Sequence, residues 1–180
     1  MTPIHTIFFV HLKNVFNMKE FFIASALMLM AMLAGAQNAP RKVYDEGVNP
    51  LEQIDAAVGK AKAEGKYVIC QVGGNWCKWC LMFADFIEKD NEIAGVIGQN
   101  FEYIHVNYHP RKAKEEGKAL MKRLNNAGRF GFPVFVVLDA DGKVIHIQDS
   151  SLLEEGQGYN REKVLSFFLH WTPEAVNKLP

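Results

Sequence analysis

The chain has 180 residues, 49% hydrophobic and 22% charged, a balance that suits one globular core and excludes a disordered or collagen-like chain. Lysine plus arginine number 20 and aspartate plus glutamate 20, so no net field draws the chain to nucleic acid or to an anionic membrane surface. Partners have to be selected by local contact chemistry.

Residues 21–33 are an apolar run of about thirteen residues, too short to cross a bilayer but of the length of a signal-peptide core. Met18 and Lys19 supply a start and a positive flank. Ala34-Gly35-Ala36 supplies the small-x-small pattern of a cleavage site, with the mature start near Gln37. Residues 1–36 are therefore read as a signal peptide, 1–17 being an over-called translation start or a long leading region. Residues 37–48 form a short N-terminal segment, and 49–180 the folded domain. Retention of 21–33 as a membrane anchor is the alternative. No cysteine lies near the cleavage site, so a thiol-linked lipid anchor is not expected. The expectation is an exported protein of the periplasm or cell envelope, with no membrane span once the leader is removed.

Asn49-Pro50 offers a cap and a first-turn proline, opening a helix that runs through Glu64 to a stop at Gly65. Residues 67–72 are short and mostly apolar, as a buried parallel strand would be. Gly73-Gly74-Asn75 breaks that strand, and Cys80, Phe83, Ala84 and Ile87 then repeat at helical spacing over 77–89. A second strand is expected over 101–107 and a charged helix over 111–125. Strands over 133–139 and 143–148 flank the turn Asp139-Ala140-Asp141-Gly142 as a hairpin, and a helix over 160–171 follows. After the first helix the order is βα-β-α-ββ-α. It predicts an α/β chain with a mixed central sheet of about four strands and helices on both faces.

Cys77 and Cys80 stand where a strand ends and a helix begins. The free N–H groups and positive dipole end of the helix favour a thiolate on the first cysteine. Cys77 is thus the expected nucleophile toward a disulfide, and Cys80, one turn inward, the thiol that resolves the mixed disulfide. Covalent haem attachment would need a histidine at position 81, which is Leu81. A zinc site would need about four ligands, and no second cysteine pair or spaced histidine pair follows, so no metal or other cofactor is expected. A static structural disulfide stays as the alternative, although so tight a loop constrains the unfolded chain little.

The run Gly74-Asn75-Trp76-Cys77-Lys78-Trp79-Cys80, taken with Gly131-Phe132-Pro133 roughly fifty residues later, resembles the thioredoxin family over about residues 49–171. The resemblance implies a thioredoxin fold and an enzyme of thiol–disulfide exchange. It implies that Pro133 is a cis-proline beside the cysteine pair, and that the backbone of Phe132 pairs with an extended substrate segment. Trp76, Phe132 and the loop Gly156-Gln157-Gly158 would then frame an apolar groove for protein substrates, though a plain connector fits the glycine loop equally well.

Two departures from the family matter. Many thioredoxins carry a buried aspartate six positions before the nucleophile, where this chain has Gln71, which cannot accept a proton. His105, facing that position from the next strand, stands as the candidate proton acceptor. Lys78-Trp79 replaces the Gly-Pro of ordinary thioredoxins, and the charge of Lys78 favours the Cys77 thiolate. Cys70 is read as an inert core thiol. The function expected is thiol–disulfide exchange on exported proteins, in the reducing direction, by a monomer that works with a redox partner protein. The rivals are a binding or assembly factor without turnover and a copper-handling relative, for which Met82 is the nearest additional soft ligand.

Overall fold

The computed structural model describes Ile23 and residues 41–178, so the leader reading of residues 1–36 lies, apart from Ile23, outside the described residues. Helix α1 spans Pro50–Glu64. Asn49 Oδ1 accepts hydrogen bonds from the backbone of Leu51 and Glu52, and Gly65 closes the helix at φ 68°. Strand β1 (Tyr67–Gly73) follows, then α2 (Lys78–Lys89), α3 (Asn91–Asn100) and β2 (Phe101–Asn107). Helix α4 (Glu115–Arg123) leads to β3 (Val134–Leu138) and β4 (Val144–Asp149). A small hairpin, β5 (Glu154–Glu155) and β6 (Gly158–Tyr159), precedes α5 (Arg161–His170) and α6 (Pro173–Asn177).

The sheet order is β2-β1-β3-β4, with β1 parallel to β2 and antiparallel to β3, and β3 antiparallel to β4. This is the mixed four-stranded sheet expected. Strands β1 and β3 are buried along their whole length because helices cover both faces. Alternation along β1 divides the core: Val68, Cys70 and Val72 meet Ile54, Ala61 and Leu120 of α1 and α4. Ile69 faces the other way, into the cluster that holds Phe83, Ile93 and Phe168 of α2, α3 and α5.

Four local features differ from the sequence reading. Helix α4 is shorter than 111–125. His109 to Lys112 forms a turn closed by a 3.0 Å backbone bond, and Asn125 and Asn126 take left-handed backbone at φ 50° and 54°. Helix α3 was not expected. Asp90 caps it by accepting from the backbone of Glu92 and Ile93, and Ile93 is fully buried. The hairpin of β5 and β6 and helix α6 also went unread, the latter capped by Thr172 with Pro173 in its first turn.

Asn49→Ala removes both cap bonds of α1 and should lower stability by about 1 kcal/mol, read as a lower urea midpoint at unchanged slope.

Candidate active site

Cys77 is the N-cap of α2, in extended backbone at φ −100° and ψ 104°, and its Sγ accepts a 3.2 Å hydrogen bond from the Cys80 N–H. The preceding turn is closed by Cys77 N–H donating to Gly74 carbonyl at 3.0 Å. Cys77 and Cys80 are joined as a disulfide, S–S 2.07 Å and Cα–Cα 5.2 Å. Cys77 keeps 6% of its surface exposed and Cys80 none. On reduction, then, only Cys77 has a path to an outside disulfide. No acidic residue occupies the first turn of α2 and Lys78 is exposed there, so the local field favours the Cys77 thiolate.

The glycines ahead of the pair are required by close approach. A Cβ at Gly73 would sit 2.4 Å from Cys80 Sγ, and one at Gly74 would sit 2.5 Å from Trp76 Nε1. Val72 pairs with Val134 across the sheet, which brings the buried Pro133 level with Gly73 at the end of β1. The Phe132–Pro133 peptide bond is cis. Phe132 packs against the cysteine cluster, with its ring 5.7 Å from Trp76 and 5.5 Å from Tyr108. Trp76 is 46% exposed and fixed by Nε1 donating to Tyr108 carbonyl at 3.1 Å. Trp79 lies on the other flank. Its ring meets Tyr159 edge-on at 5.5 Å, and the Tyr159 hydroxyl donates to the Trp79 carbonyl at 3.1 Å. The Gly156-Gln157-Gly158 loop belongs to the hairpin that carries Tyr159, and so is tied to the Trp79 flank.

Beneath the pair is a polar network that the sequence reading saw only in part. Gln71 is fully buried, and its Nε2 donates to the Tyr44 hydroxyl at 2.6 Å and to the Cys80 carbonyl at 2.9 Å. Its Oε1 accepts from the Tyr103 hydroxyl at 2.6 Å. Tyr44, 2% exposed, belongs to the same cluster as Cys77 and Cys80. Asn75 holds it there. The Asn75 Oδ1 accepts from Val43 and Tyr44 N–H at 2.9 and 3.1 Å, while its Nδ2 donates to the Tyr44 carbonyl at 2.8 Å. Neither Tyr44 nor Asn75 received a role from sequence, and a lone tyrosine in a polar stretch gives little signal. Burial raises the Tyr44 and Tyr103 phenols well above their ordinary range.

His105 pairs with Gln71 in the β1–β2 register, and its ring lies 5.3 Å from Tyr44 and 5.4 Å from Tyr103. Its Nε2 is buried without a hydrogen-bond partner among the described residues, and burial pushes the imidazole down to about 4. Tyr44, which its ring meets, belongs to the cluster of the cysteine pair. Cys70 faces the opposite core, fully buried, with burial pushing its thiol up to about 12. Among the described residues no three His, Cys, Asp or Glu side chains gather as a metal site, and Met82 is half-buried in α2. No described helix is long and apolar enough to cross a membrane.

The family model described as Thioredox_DsbH, "Protein of unknown function, DUF255", matches residues 38–166, well over half of the chain. The chain belongs to this thioredoxin-like DsbH family. No curated protein matches it. Among solved structures, a disulphide isomerase from Xylella fastidiosa Temecula1 is similar at TM-score 0.63 and 22% identity, over 73% of this chain and 97% of that one. A structure titled DsbH oxidoreductase is similar at TM-score 0.41 and 24% identity, over 57% and 71% of the two chains. A thioredoxin from Thermus thermophilus is similar at TM-score 0.47 and 19% identity, over 64% and 81%. At these identities the likeness is one of fold, and the first of them shows the thioredoxin-like fold in this DsbH-family chain. The paired cysteines at the start of α2 in this chain suit thiol–disulfide exchange.

Gly73→Ala places a methyl against Cys80 Sγ and should destabilise the oxidised protein by about 2 kcal/mol, measured by urea unfolding before and after reduction. His105 has its folded value, about 4, below its ordinary 6.5, so the unfolded chain takes up a proton first as pH falls. Its contribution is present above about 6.5 and lost toward about 4. His105→Leu should flatten the fall in stability between pH 7 and 4.5 by about 2 kcal/mol, read from urea midpoints at the two pH values.

Proposed function

We propose that this protein is an exported protein thiol–disulfide oxidoreductase that acts as a reductase through Cys77 and Cys80. The observation that carries the reading is the pair itself: a disulfide at the N-terminus of α2, in which Cys77 keeps 6% of its surface exposed and Cys80 none. The Cys77 thiolate attacks a substrate disulfide, forming a mixed disulfide and releasing one substrate thiolate. Cys80 then attacks Cys77 Sγ, the second substrate thiolate leaves, and two electrons have passed to the substrate. A partner dithiol restores the reduced pair. Because Cys80 has no exposed surface, its only reachable target is the sulfur of Cys77, which favours release of reduced substrate over a second intermolecular attack.

The half-exposed Trp76 and the neighbouring Phe132 support a groove for an extended or unfolded protein segment, with the Phe132 main chain pairing to it as in the thioredoxin family. The apolar run at 21–33 and the Ala34-Gly35-Ala36 pattern support export into the periplasm or cell envelope, with residues 1–36 as the leader. We take the working unit to be a monomer that meets a separate redox partner protein.

Reduction of insulin by the dithiol form should be lost in both Cys77→Ser and Cys80→Ser, with only Cys80→Ser accumulating a mixed disulfide. Equilibration with glutathione buffers should place the pair toward the roughly −270 mV of thioredoxin, not the roughly −120 mV of a strong oxidant such as DsbA. A pair that never cycles overturns the enzyme reading.

A further inference from the structure

We propose that the Tyr44 hydroxyl is the hydrogen-bond donor that holds and activates the resolving sulfur of Cys80 once the disulfide opens, in place of a carboxylate beneath the pair. The inference rests on the exchange reading above and names a positioning residue for it.

Tyr44 reaches the site from outside the sheet. Its segment, residues 41–47, precedes α1 and is clipped to the active-site turn by the side chain of Asn75, which bonds the main chain of both Val43 and Tyr44. The phenol thereby enters the cluster of Cys77 and Cys80. Its oxygen and Cys80 Sγ both crowd the empty side of Gly73: the position a Cβ would take there is 2.4 Å from the sulfur and 3.1 Å from the hydroxyl. Both atoms border the volume that a side chain at Gly73 would fill, so no side chain of that residue separates them.

The direction of the hydrogen bonds fixes what the hydroxyl can do. Gln71 Nε2 is only a donor, so the Tyr44 oxygen accepts there and its own proton is left for another acceptor. Among the described residues that hydroxyl donates no hydrogen bond while the disulfide is closed. A disulfide sulfur is a weak acceptor, whereas a thiolate is a strong one. Reduction therefore creates, beside Tyr44, the partner its proton lacks. The same Gln71 nitrogen also holds the Cys80 carbonyl, which locks the phenol and the resolving residue to one amide.

Tyr44 is not a base in this scheme. Its phenol stays neutral and stabilises the Cys80 thiolate by donation. In the resolving step the Cys80–Cys77 S–S bond forms, the bond from Cys77 to the substrate sulfur breaks, and the electron pair leaves on that sulfur. The proton that Cys80 has given up ends on the departing substrate thiolate. The titratable groups that act on one another here are Tyr44 from the N-terminal segment, Tyr103 and His105 from β2 and Tyr159 from β6, with Cys77 beside them in the turn. Arg41 and Glu88 are the charges that act on His105.

The test follows Cys80 by the 13Cβ shift of cysteine-labelled, full-length Cys77→Ser protein against pH, with and without Tyr44→Phe. The ring that fills the cluster stays in place, and only the hydroxyl is lost. The expected result is a rise of about one pH unit in the Cys80 midpoint, with resolution of a Cys77–glutathione mixed disulfide slowed about threefold at pH 7 in the otherwise unmutated chain, because the fall in thiolate fraction is partly offset by its greater nucleophilicity. An unchanged midpoint overturns the proposal, as does a midpoint that moves with His105→Gln but not with Tyr44→Phe. A second readout needs no substitution: in wild-type protein the Tyr44 hydroxyl proton should exchange more slowly with water when the pair is reduced than when it is oxidised. Equal exchange in both states overturns the proposal. Insulin reduction run alongside separates the two readings. A shifted Cys80 midpoint without insulin turnover supports the Tyr44 bond and removes only the enzyme reading.

Discussion

A primary amide sealed from water destabilises a fold by a few kcal/mol unless its donors and its acceptor are all met. Gln71 imposes that demand at the centre of this molecule. It is fully buried in β1, on the face that α2 covers, and three groups from three parts of the chain satisfy it: the Tyr44 hydroxyl, the Tyr103 hydroxyl and the Cys80 carbonyl. Each of those bonds fixes something the site uses. One seats the start of α2 on the strand, one ties β1 to β2, and one draws the segment ahead of α1 over the cysteine pair. A neutral amide here also leaves Cys80 without a carboxylate at position 71 beneath it, so the pair sits in a field set by donors and aromatic rings.

The end of β1 shows how backbone approach and chemistry are coupled. Gly73 lets Cys80 Sγ lie against the strand, and Gly74 makes room for the edge of Trp76. The next residue, Asn75, directs its side chain back to the main chain of Val43 and Tyr44. Three consecutive positions therefore place the inner sulfur, the exposed indole and the covering segment. The two tryptophans of the cysteine motif are divided in the same way: Trp76 packs edge-on against Phe132, while Trp79 is held by Tyr159 on the far flank. The first forms exposed apolar surface beside Cys77, and the second steadies the turn that carries both sulfurs.

Much of this was legible in the residues. The cap at Asn49, the stop at Gly65, the apolar run of β1, the turn between β3 and β4 and the helical spacing after Cys77 are local signals, and the corresponding elements fold where they are read. Helix α3 was missed because its apolar positions are interleaved with Gly95 and Gly98, though the Asp90 cap was there to be read. Helix α4 was read too long because its limits are set by turn geometry at His109 and by left-handed backbone at Asn125 and Asn126, neither of which periodicity reports.

By itself the sequence determined the layered α/β architecture, the family, and the placing of the cysteine pair at a strand-to-helix junction. Each rests on short-range chemistry: caps, hydrophobic period, and the close spacing of two thiols. Only the tertiary structure decided what surrounds that pair. Tyr44 lies 27 residues before Gln71 and Tyr103 lies 32 residues after it, and no local pattern announces that they share one amide. The physical reason is that a buried polar group is satisfied by whatever the packing brings within hydrogen-bond reach, and that reach is a property of the folded sheet rather than of neighbouring residues in the chain.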